Sequence, residues 1–191
     1  KAQINPHFLF NALNSISALI SSDPEAAQTT LERLAGIFRG TLLASEKSSV
    51  ALSRELEIVD AYLDVERARF GKRLNVVERI GDETREVQVP PLILQPIVEN
   101  AVRHGITPSV EGGTLTIESR LVEGTLRVKV HDDGGGTGLI DLEEMLQEGY
   151  GLRNVRDRLI TRYGEGDWFR FQSSREEGTT VELVIPLESL P

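Results

Sequence analysis

The first fifty residues place apolar side chains at the spacing of an α-helix. Apolar residues of the first segment gather on one side: Ala2, Leu9, Ala12, Leu13, Ile16, Leu19 and Ile20. Residues 21–24 then form a predicted turn with an N-cap and an early proline. The helical spacing resumes with Leu31, Leu34, Ile37, Phe38 and Leu42. The pattern therefore predicts a helix from about residue 5 to residue 20, followed by a second helix, as a helical hairpin.

The rest of the chain mixes helical spacing with the alternation typical of strands. Residues 45–49 predict a loop, and Ser53 is the predicted N-cap of a third helix. Strands are predicted at residues 74–80, 114–122, 125–130, 168–173 and 180–185. Helices are predicted at residues 92–102 and 152–163, with a glycine-rich loop and a short acidic helix before the latter. The sequence thus predicts a helical hairpin in residues 1–51 and an α+β domain in residues 52–191.

Composition excludes several classes of function. The chain has 191 residues, 39% of them hydrophobic, which is ordinary for a soluble protein with a core. A net charge of −9 argues against direct nucleic-acid binding, which needs a basic surface. No apolar run reaches the length of a membrane span, and the absence of cysteine excludes disulfides and thiolate metal sites. Because a helical pattern begins almost at once, we expect a fragment of a longer protein whose membrane segments lie elsewhere.

One histidine lies on the polar side of the first predicted helix. At about 100° per residue, Gln3, His7, Asn11 and Asn14 fall close to one line, away from the apolar stripe. Pro6 is compatible with the first turn, where its missing N–H would have no partner. A lone histidine is more often structural than chemical, so the role of His7 depends on what the rest of the chain contains.

Two segments after residue 98 carry chemistry that suits a nucleotide. In the first, the Asn100 amide oxygen suits Mg²⁺, and Arg103 and His104 suit phosphate, although a polar helix end is often only solvated. In the second, a strand runs into Asp132, whose carboxylate can accept a hydrogen bond from an exocyclic amine such as that of adenine. Gly134 and Gly136 follow it and let backbone approach a flat ring, although Asp-Gly turns are common in any protein.

Two later segments fit the same hypothesis. Gly149 and Gly151 precede Leu152 at a predicted helix start, where amide N–H groups are available to an anion. Glycines in this spacing also serve ordinary turns. Thr179 lies at the start of the last strand, where its hydroxyl can support a base, although threonine is also simply a good strand former. Each segment has an ordinary structural explanation, but their order and spacing together favour a nucleotide site.

In their order, the four segments resemble the motifs of the Bergerat-type ATP-binding fold, shared by histidine kinases, Hsp90, gyrase and MutL. Further stretches are similar to LytS-type sensor histidine kinases: Asn5-Pro6-His7-Phe8-Leu9-Phe10-Asn11-Ala12-Leu13-Asn14, Tyr62-Leu63-x-x-Glu66-x-x-Arg69-Phe70 and Leu94-Gln95-Pro96-x-Val98-Glu99-Asn100. The resemblance covers nearly the whole chain. It implies a dimerisation hairpin followed by an α/β-sandwich ATP-binding domain with a mixed sheet.

The resemblance also implies an activity and a role for each candidate residue. His7 is implied as the phosphoacceptor, with Asn11 and Glu99 assisting. The residues implied for MgATP are Asn100, Arg103, His104, Asp132, Gly134, Gly136, Gly149, Gly151, Leu152 and Thr179, of which Asn100 is the Mg²⁺ ligand. By the same resemblance Asp132 reads the adenine and Thr179 supports it, and the four glycines shape a lid over the nucleotide. The implied partners are a second copy, through the hairpin, and a response regulator receiver domain. A cytoplasmic position is expected for this part and the bacterial cytoplasmic membrane for the whole protein.

Two positions depart from the family patterns, and a third position, Pro96, bears on the alternatives. Asp133 replaces the usual asparagine and adds a negative charge near the lid. Phe8 follows His7 where other histidine kinases have an acid, so the base assisting His7 is unassigned. Pro96 lies four residues before Asn100, where clamp ATPases of this fold carry a water-activating glutamate. The alternatives are such an ATPase and a scaffold module with an inactive site; His7 argues against the first and the intact motifs against the second.

Overall fold

A computed structural model describes residues 6–45, 47–135 and 150–187 of the chain. Helices α1 (Pro6–Ser22) and α2 (Pro24–Ser45) pack against each other as the predicted hairpin. Asp23 separates them, and its Oδ1 accepts a hydrogen bond from the Ala26 N–H at 3.0 Å. This side-chain cap satisfies one of the amides that a helix start leaves unpaired, which confirms the predicted turn.

The third helix, α3 (Leu52–Phe70), does not begin as predicted. Ser53 is not its N-cap: the cap position is Ala51, which makes no side-chain bond. The first amides are satisfied from a distant loop instead, since Leu52 N–H donates to the Val87 carbonyl at 2.9 Å and Ser53 N–H to the Arg85 carbonyl at 2.8 Å. Beside these contacts, the two-residue strands β1 (Val50–Ala51) and β3 (Gln88–Val89) pair antiparallel. The pattern of the sequence does not predict this small sheet.

Five strands form the main sheet. They are β2 (Leu74–Ile80), β4 (Gly113–Val122), β5 (Thr125–Asp132), β6 (Phe169–Ser174) and β7 (Gly178–Pro186). Their order across the sheet is β2-β4-β5-β7-β6, and only β2 and β4 run parallel. The sheet is therefore mixed, as expected, and the strand predictions are confirmed to within two residues at nearly every end.

Helices cover one face of this sheet. They include α4 (Gln95–Asn100), which continues as a π-helix (Ala101–Ile106), and α5 (Tyr150–Tyr163). Alternate residues of β5 point into the apolar layer between the sheet and these helices: Leu126, Val128 and Val130. The same core continues into the hairpin, where it includes Phe8, Ile16, Leu34 and Ile37. The domain division after residue 51 lies at the junction of β1 and α3 and stays a prediction.

Among the described residues, no helix combines the length and apolarity that a membrane crossing needs. The predicted short acidic helix after the glycine-rich loop lies outside these residues.

A buried carboxylate fixes the start of α4. Glu55 of α3 is 1% exposed. Its oxygens accept hydrogen bonds from the N–H groups of Leu92, Ile93 and Leu94 at 2.6, 2.9 and 3.0 Å. Leu92 has a φ of 58°, a left-handed conformation that strains a leucine and that these bonds hold in place. The predicted helix over residues 92–102 therefore begins later, at Gln95, and extends further, to Ile106.

Glu55→Gln should lower the free energy of unfolding by about 1–3 kcal/mol. The amide keeps the shape of the side chain, but its NH₂ group would face a backbone N–H and leave it without an acceptor. Urea unfolding followed by circular dichroism measures the change. Glu57→Gln is the matched control because Glu57 is exposed on the same helix and pairs only with Arg54 at the surface. An equal stability of Glu55→Gln and parent would show that the three amides do not depend on the carboxylate.

Candidate functional site

The centre of the candidate site is Asp132, the last residue of β5. Its neighbours in the sheet are Leu115 of β4 and Thr179 of β7, and its side chain is 2% exposed. Burial raises the pKa of this carboxyl from 3.8 to about 7, and the charge of Asp133 adds to the rise. The N–H groups of Gly134, 3.3 Å from Oδ1, and of Thr179 oppose it by stabilising the carboxylate. A buried strand end thus presents one titratable acceptor held by backbone amides.

Two glycines make room for this carboxylate. A Cβ at Gly105, in the π-helix, would overlap the Asp132 carboxylate, and one at Gly134 would overlap the Gly105 carbonyl. The backbone of the π-helix and the loop after β5 therefore meet over Asp132, at a distance that only glycine permits. Gly134 was predicted as a site residue and lies where expected. Gly105 is not among the predicted site residues, although it directly follows His104 in the sequence.

The helix that carries Asn100 widens at this point. Residues Ala101–Ile106 form the π-helix, in which Thr107 N–H bonds to the Val102 carbonyl five residues back at 2.9 Å. π-Helical turns are rare and are frequent at functional sites. Arg103 and His104 are exposed on this turn, whereas Asn100 is half-buried and its side chain makes no hydrogen bond within the described part of the chain. The Asn100 amide is thus available to a ligand.

The beginning of α5 lies against α4. A Cβ built on Gly151 would come to 3.4 Å from Cβ of Pro96, which is ordinary contact. The next residue, Leu152, is buried in the core, so its side chain anchors the helix and its backbone is what remains for a ligand. This places the N-terminus of α5 beside the helix of Asn100. The first amides of a helix have no partner within the helix itself. Gly136 and Gly149, the other predicted lid glycines, lie outside the described residues.

The side chains of Thr179 and Asp133 flank Asp132 but bond to other groups. The Thr179 hydroxyl lies 3.0 Å from the Ser173 hydroxyl of the neighbouring strand. Asp133 is exposed and turns back to β4, where its Oδ1 accepts from the Thr114 N–H at 2.5 Å. An asparagine could accept the same bond without the charge. The departure from the family pattern at position 133 therefore keeps the local hydrogen bond and adds a negative charge that acts on Asp132.

Magnesium fits this donor set. No three potential His, Cys, Asp or Glu ligands cluster within residues 6–45, 47–135 and 150–187. Mg²⁺ does not need such a cluster, because it keeps several waters and takes phosphate oxygens as ligands with only one or two protein groups. The half-buried Asn100 amide oxygen can provide one such ligand.

A buried polar path runs from the hairpin to the helix of Asn100. In α2, the Thr41 hydroxyl donates to Gln95 Oε1 at 3.4 Å. Gln95 Nε2 in turn donates to Glu99 Oε1 at 2.7 Å. Thr41 and Gln95 are both buried. The side chain next to Asn100 is therefore positioned through a contact with the hairpin that the sequence did not reveal.

A second contact joins α1 to the same region. The Phe8 ring lies 4.8 Å from the Tyr62 ring of α3. One helical turn along α3, Glu66 is 3% exposed and pairs with Arg69 at 2.7 Å. The pKa of Glu66 is raised from 4.5 to about 7, mainly by burial; Arg69 opposes the rise and the charge of Glu99 adds to it. The acidic side chains of Glu66 and Glu99 thus lie close enough to interact, in the region between the hairpin and the candidate site.

The candidate phosphoacceptor lies on the hairpin. The backbone of His7 is in the first turn of α1, and its side chain lies outside the described part of the structure. Asn11 follows one turn later and is half-buried. The structure therefore brings Asp132, Gly134 and Thr179 together, and Gly151 to the helix of Asn100. It assigns His7 and Asn11 to a separate element.

Comparison with protein families identifies this architecture. Residues 89–189, more than half of the chain, match the family described as histidine kinase-, DNA gyrase B- and HSP90-like ATPase. The chain belongs to this family. Residues 1–74 match a second family model, described as histidine kinase. The first match contains Asn100, Asp132 and Thr179, and the second contains His7. The ATP-binding fold expected from the motifs is thereby confirmed.

Comparison with individual relatives agrees with the matches to the two family models. The chain is 34% identical over 197 residues to the sensor protein LytS of Staphylococcus epidermidis, covering 99% of the chain and 33% of that protein. It is 37% identical over 194 residues to LytS of Bacillus cereus, covering 97% of the chain and 33% of that protein. The chain thus spans about a third of these curated relatives. The histidine kinase domain of a blue-light-activated kinase from Erythrobacter litoralis shares the fold, with a TM-score of 0.54 and 23% identity over 88% of this chain and 83% of that one.

Proposed function

We propose that this chain is the catalytic part of a two-component sensor histidine kinase. It would transfer the γ-phosphoryl group of MgATP to an imidazole nitrogen of His7, and then to an aspartate of a response regulator. One observation carries the proposal: an ATP-family site centred on the buried Asp132 shares a chain and a continuous core with the helix that bears His7. The relatives named sensor protein LytS support it.

The site residues divide the work of nucleotide binding. Asp132 would accept from the adenine amine, with Thr179 supporting the base. Arg103, His104 and the amides at the start of α5 would meet the phosphates. The remaining contacts would come from the lid around Gly134, Gly136, Gly149, Gly151 and Leu152.

Phosphoryl transfer needs mainly positioning and neutralisation of charge. Mg²⁺, held by Asn100, would neutralise part of the phosphate charge. His7 would attack the γ-phosphorus as neutral imidazole, forming an N–P bond as the bond to the ADP oxygen breaks. Glu99, held by Gln95, would organise the surroundings of Asn100, and Asn11 would orient the imidazole. A transfer of this kind requires few acid–base groups.

We also propose that the hairpin forms a homodimer. Large apolar side chains remain exposed on it: Phe10, Leu13 and Ile20 of α1, and Leu31, Leu42 and Leu43 of α2. A second hairpin would cover them and complete a four-helix bundle. The family resemblance supports the remaining partners, a response regulator receiver domain and, for the whole protein, a bacterial cytoplasmic membrane reached through segments outside this chain, which itself would lie in the cytoplasm.

Labelling with γ-³²P-ATP tests kinase against ATPase. We expect an acid-labile, alkali-stable phosphoprotein, and phosphate release well under about one turnover per minute. The physical reason is that Pro96, one helical turn from Asn100, offers no carboxylate to activate water, whereas Glu99 points about 100° away around the helix. Sustained release at or above that rate without phosphoprotein would favour the ATPase. Absence of both label and release in protein that binds ATP would favour the inactive scaffold.

A further inference from the structure

The face of the sheet turned away from the helices carries an ordered row of charges. One residue from each strand contributes, in register across the sheet: Arg79, Glu118, Lys129, Glu182 and Arg170. The signs alternate along this row. Arg79 pairs with Glu118 at 2.7 Å and Arg170 with Glu182 at 3.2 Å. Opposite charges on neighbouring strands stabilise a sheet. Four of the five charges in this row are therefore paired within the row.

In the neighbouring row the charges do not alternate in sign. Arg120 of β4 and Arg127 of β5 are directly opposite in register. Like charges in this position destabilise a sheet. Arg127 reaches Glu182 only at 3.8 Å, and its Nε is buried without a hydrogen bond. Arg120 is exposed and has no ion pair within the residues that the structure describes. The two arginines of this row thus occupy opposite positions with no acidic residue between them, whereas a carboxylate separates neighbouring cations in the first row.

A depression of about 390 Å³ lies at these arginines. Its lining has two more cations than carboxylates: Arg79, Arg120, Arg127 and Lys129 against Glu118 and Glu182, with Ser119. The whole chain has a net charge of −9, so this positive area stands out from an acidic protein. A local potential of this sign attracts anionic groups. The volume is at the lower end of the range for ligand sites, enough for one or two side chains.

We propose that this surface, the Arg120–Arg127 pair with its depression, binds an acidic segment of a protein partner. A carboxylate from the partner would lie between the two guanidinium groups and supply the negative charge that their row lacks. Charge-assisted hydrogen bonds from arginine to carboxylate have the geometry for this contact. The surface is on the opposite face of the sheet from the helices that form the ATP site, so binding there does not require access to the nucleotide.

A carboxylate fits better than a phosphate group. Glu118 and Glu182 lie within the same lining and would repel a densely charged phosphate, whereas a single carboxylate repeats the alternation of the first row. The acidity of the chain also disfavours the approach of a polyanion such as a nucleic acid. The favoured partner is therefore a protein surface with one or two exposed acidic side chains.

The test uses a fluorescein-labelled hexaglutamate peptide, with hexaglutamine as the neutral probe. Fluorescence anisotropy at low salt should show binding of hexaglutamate only, weakening as salt is added. Arg120→Gln with Arg127→Gln should reduce the affinity about tenfold or more, because both arginine contacts are lost. Arg54→Gln with Arg85→Gln removes the same charge elsewhere on the surface and should change the affinity less than about twofold. Thermal unfolding of the Arg120/Arg127 variant should occur at or above the parent temperature, since a like-charge contact is removed.

Three results would overturn the proposal. Equal losses in the two double variants would mean that the peptide reads only net charge. Displacement by inorganic tripolyphosphate at lower concentration than by free hexaglutamate would make the surface a phosphate site. No binding of hexaglutamate to the parent at low salt would remove the surface as an acidic-partner site. None of these outcomes depends on ATP or His7, so the proposed kinase activity stands or falls separately.

Discussion

His7→Gln should abolish formation of the phosphoprotein while leaving ATP affinity within a few-fold of the parent value. The amide has no nucleophilic lone pair comparable to that of neutral imidazole, so no N–P bond can form. The nucleotide residues lie on other elements: Asp132 ends β5 and Asn100 lies in α4, whereas His7 is in α1. Loss of the phosphoacceptor should therefore separate the chemistry from binding. Gel autoradiography with γ-³²P-ATP and titration calorimetry measure the two effects.

The matched control is Asn14→Gln, on the same polar stripe of α1 and exposed. It should keep both phosphorylation and binding. Because transfer within a dimer depends on the hairpin, the test should be repeated with the chain extended upstream of α1. Label retained in His7→Gln would place the phosphoryl group on another residue, and loss of ATP binding with it would mean that α1 contributes to the nucleotide site.

Local sequence patterns predicted most of the helices and strands, because the spacing of apolar residues within a segment indicates whether it forms a helix or a strand. Strand β5 alternates buried and half-buried residues from end to end, so both its position and the location of Asp132 at its end followed from the sequence. The hairpin followed in the same way from helical spacing and from the Asp23 cap. The four nucleotide segments could be read as one site only because a family resemblance supplied their arrangement. Spacing alone does not show that β5 and β7 are neighbours.

What the sequence did not predict depends on contacts between distant residues. Ser53 has the chemistry of an N-cap, but the loop at Arg85–Val87 supplies the carbonyls and moves the helix start to Leu52. Glu55 looks like any acid in a first helical turn. Only the fold shows that it is buried and binds the three amides before α4. The same holds for Gln95, which reads as a polar residue at a helix start and proves to link Thr41 with Glu99.

Asp132→Asn should cost most of the affinity for ATP. The carboxylate is the acceptor for the adenine amine in a buried site, and loss of a hydrogen bond to a charged group is worth about 1.5–3 kcal/mol, or roughly 10- to 150-fold in Kd. GTP, which has a carbonyl at that position, should bind poorly to the parent. Titration calorimetry with both nucleotides measures these affinities. Equal affinities of the parent for ATP and GTP would remove Asp132 from the role of base reader.

The raised pKa of Asp132 makes the same interaction dependent on pH. With a pKa of about 7 in the folded protein, the carboxyl is mostly protonated at pH 6 and mostly ionised at pH 8. If the ionised form binds adenine, the apparent Kd at pH 6 should be roughly tenfold weaker than the intrinsic value, because only about a tenth of the sites are competent. The sign for stability is opposite: between about pH 4 and 7 the folded state keeps a proton that the unfolded chain has lost, so the free energy of unfolding falls as pH rises.

Asp133→Asn separates this effect from other titrations. The asparagine can keep the bond to Thr114, but the charge that raises the pKa of Asp132 disappears. Asp132 then ionises at lower pH, so the rise in ATP affinity should move to lower pH and the affinity at pH 7 should increase. Asp132→Asn should lose this pH dependence altogether. Affinity that rises on acidification would mean that the neutral acid is the binding form and that Asp132 donates a hydrogen bond to the adenine ring. Affinity that is flat in the parent would mean that the protonation state of Asp132 does not control binding.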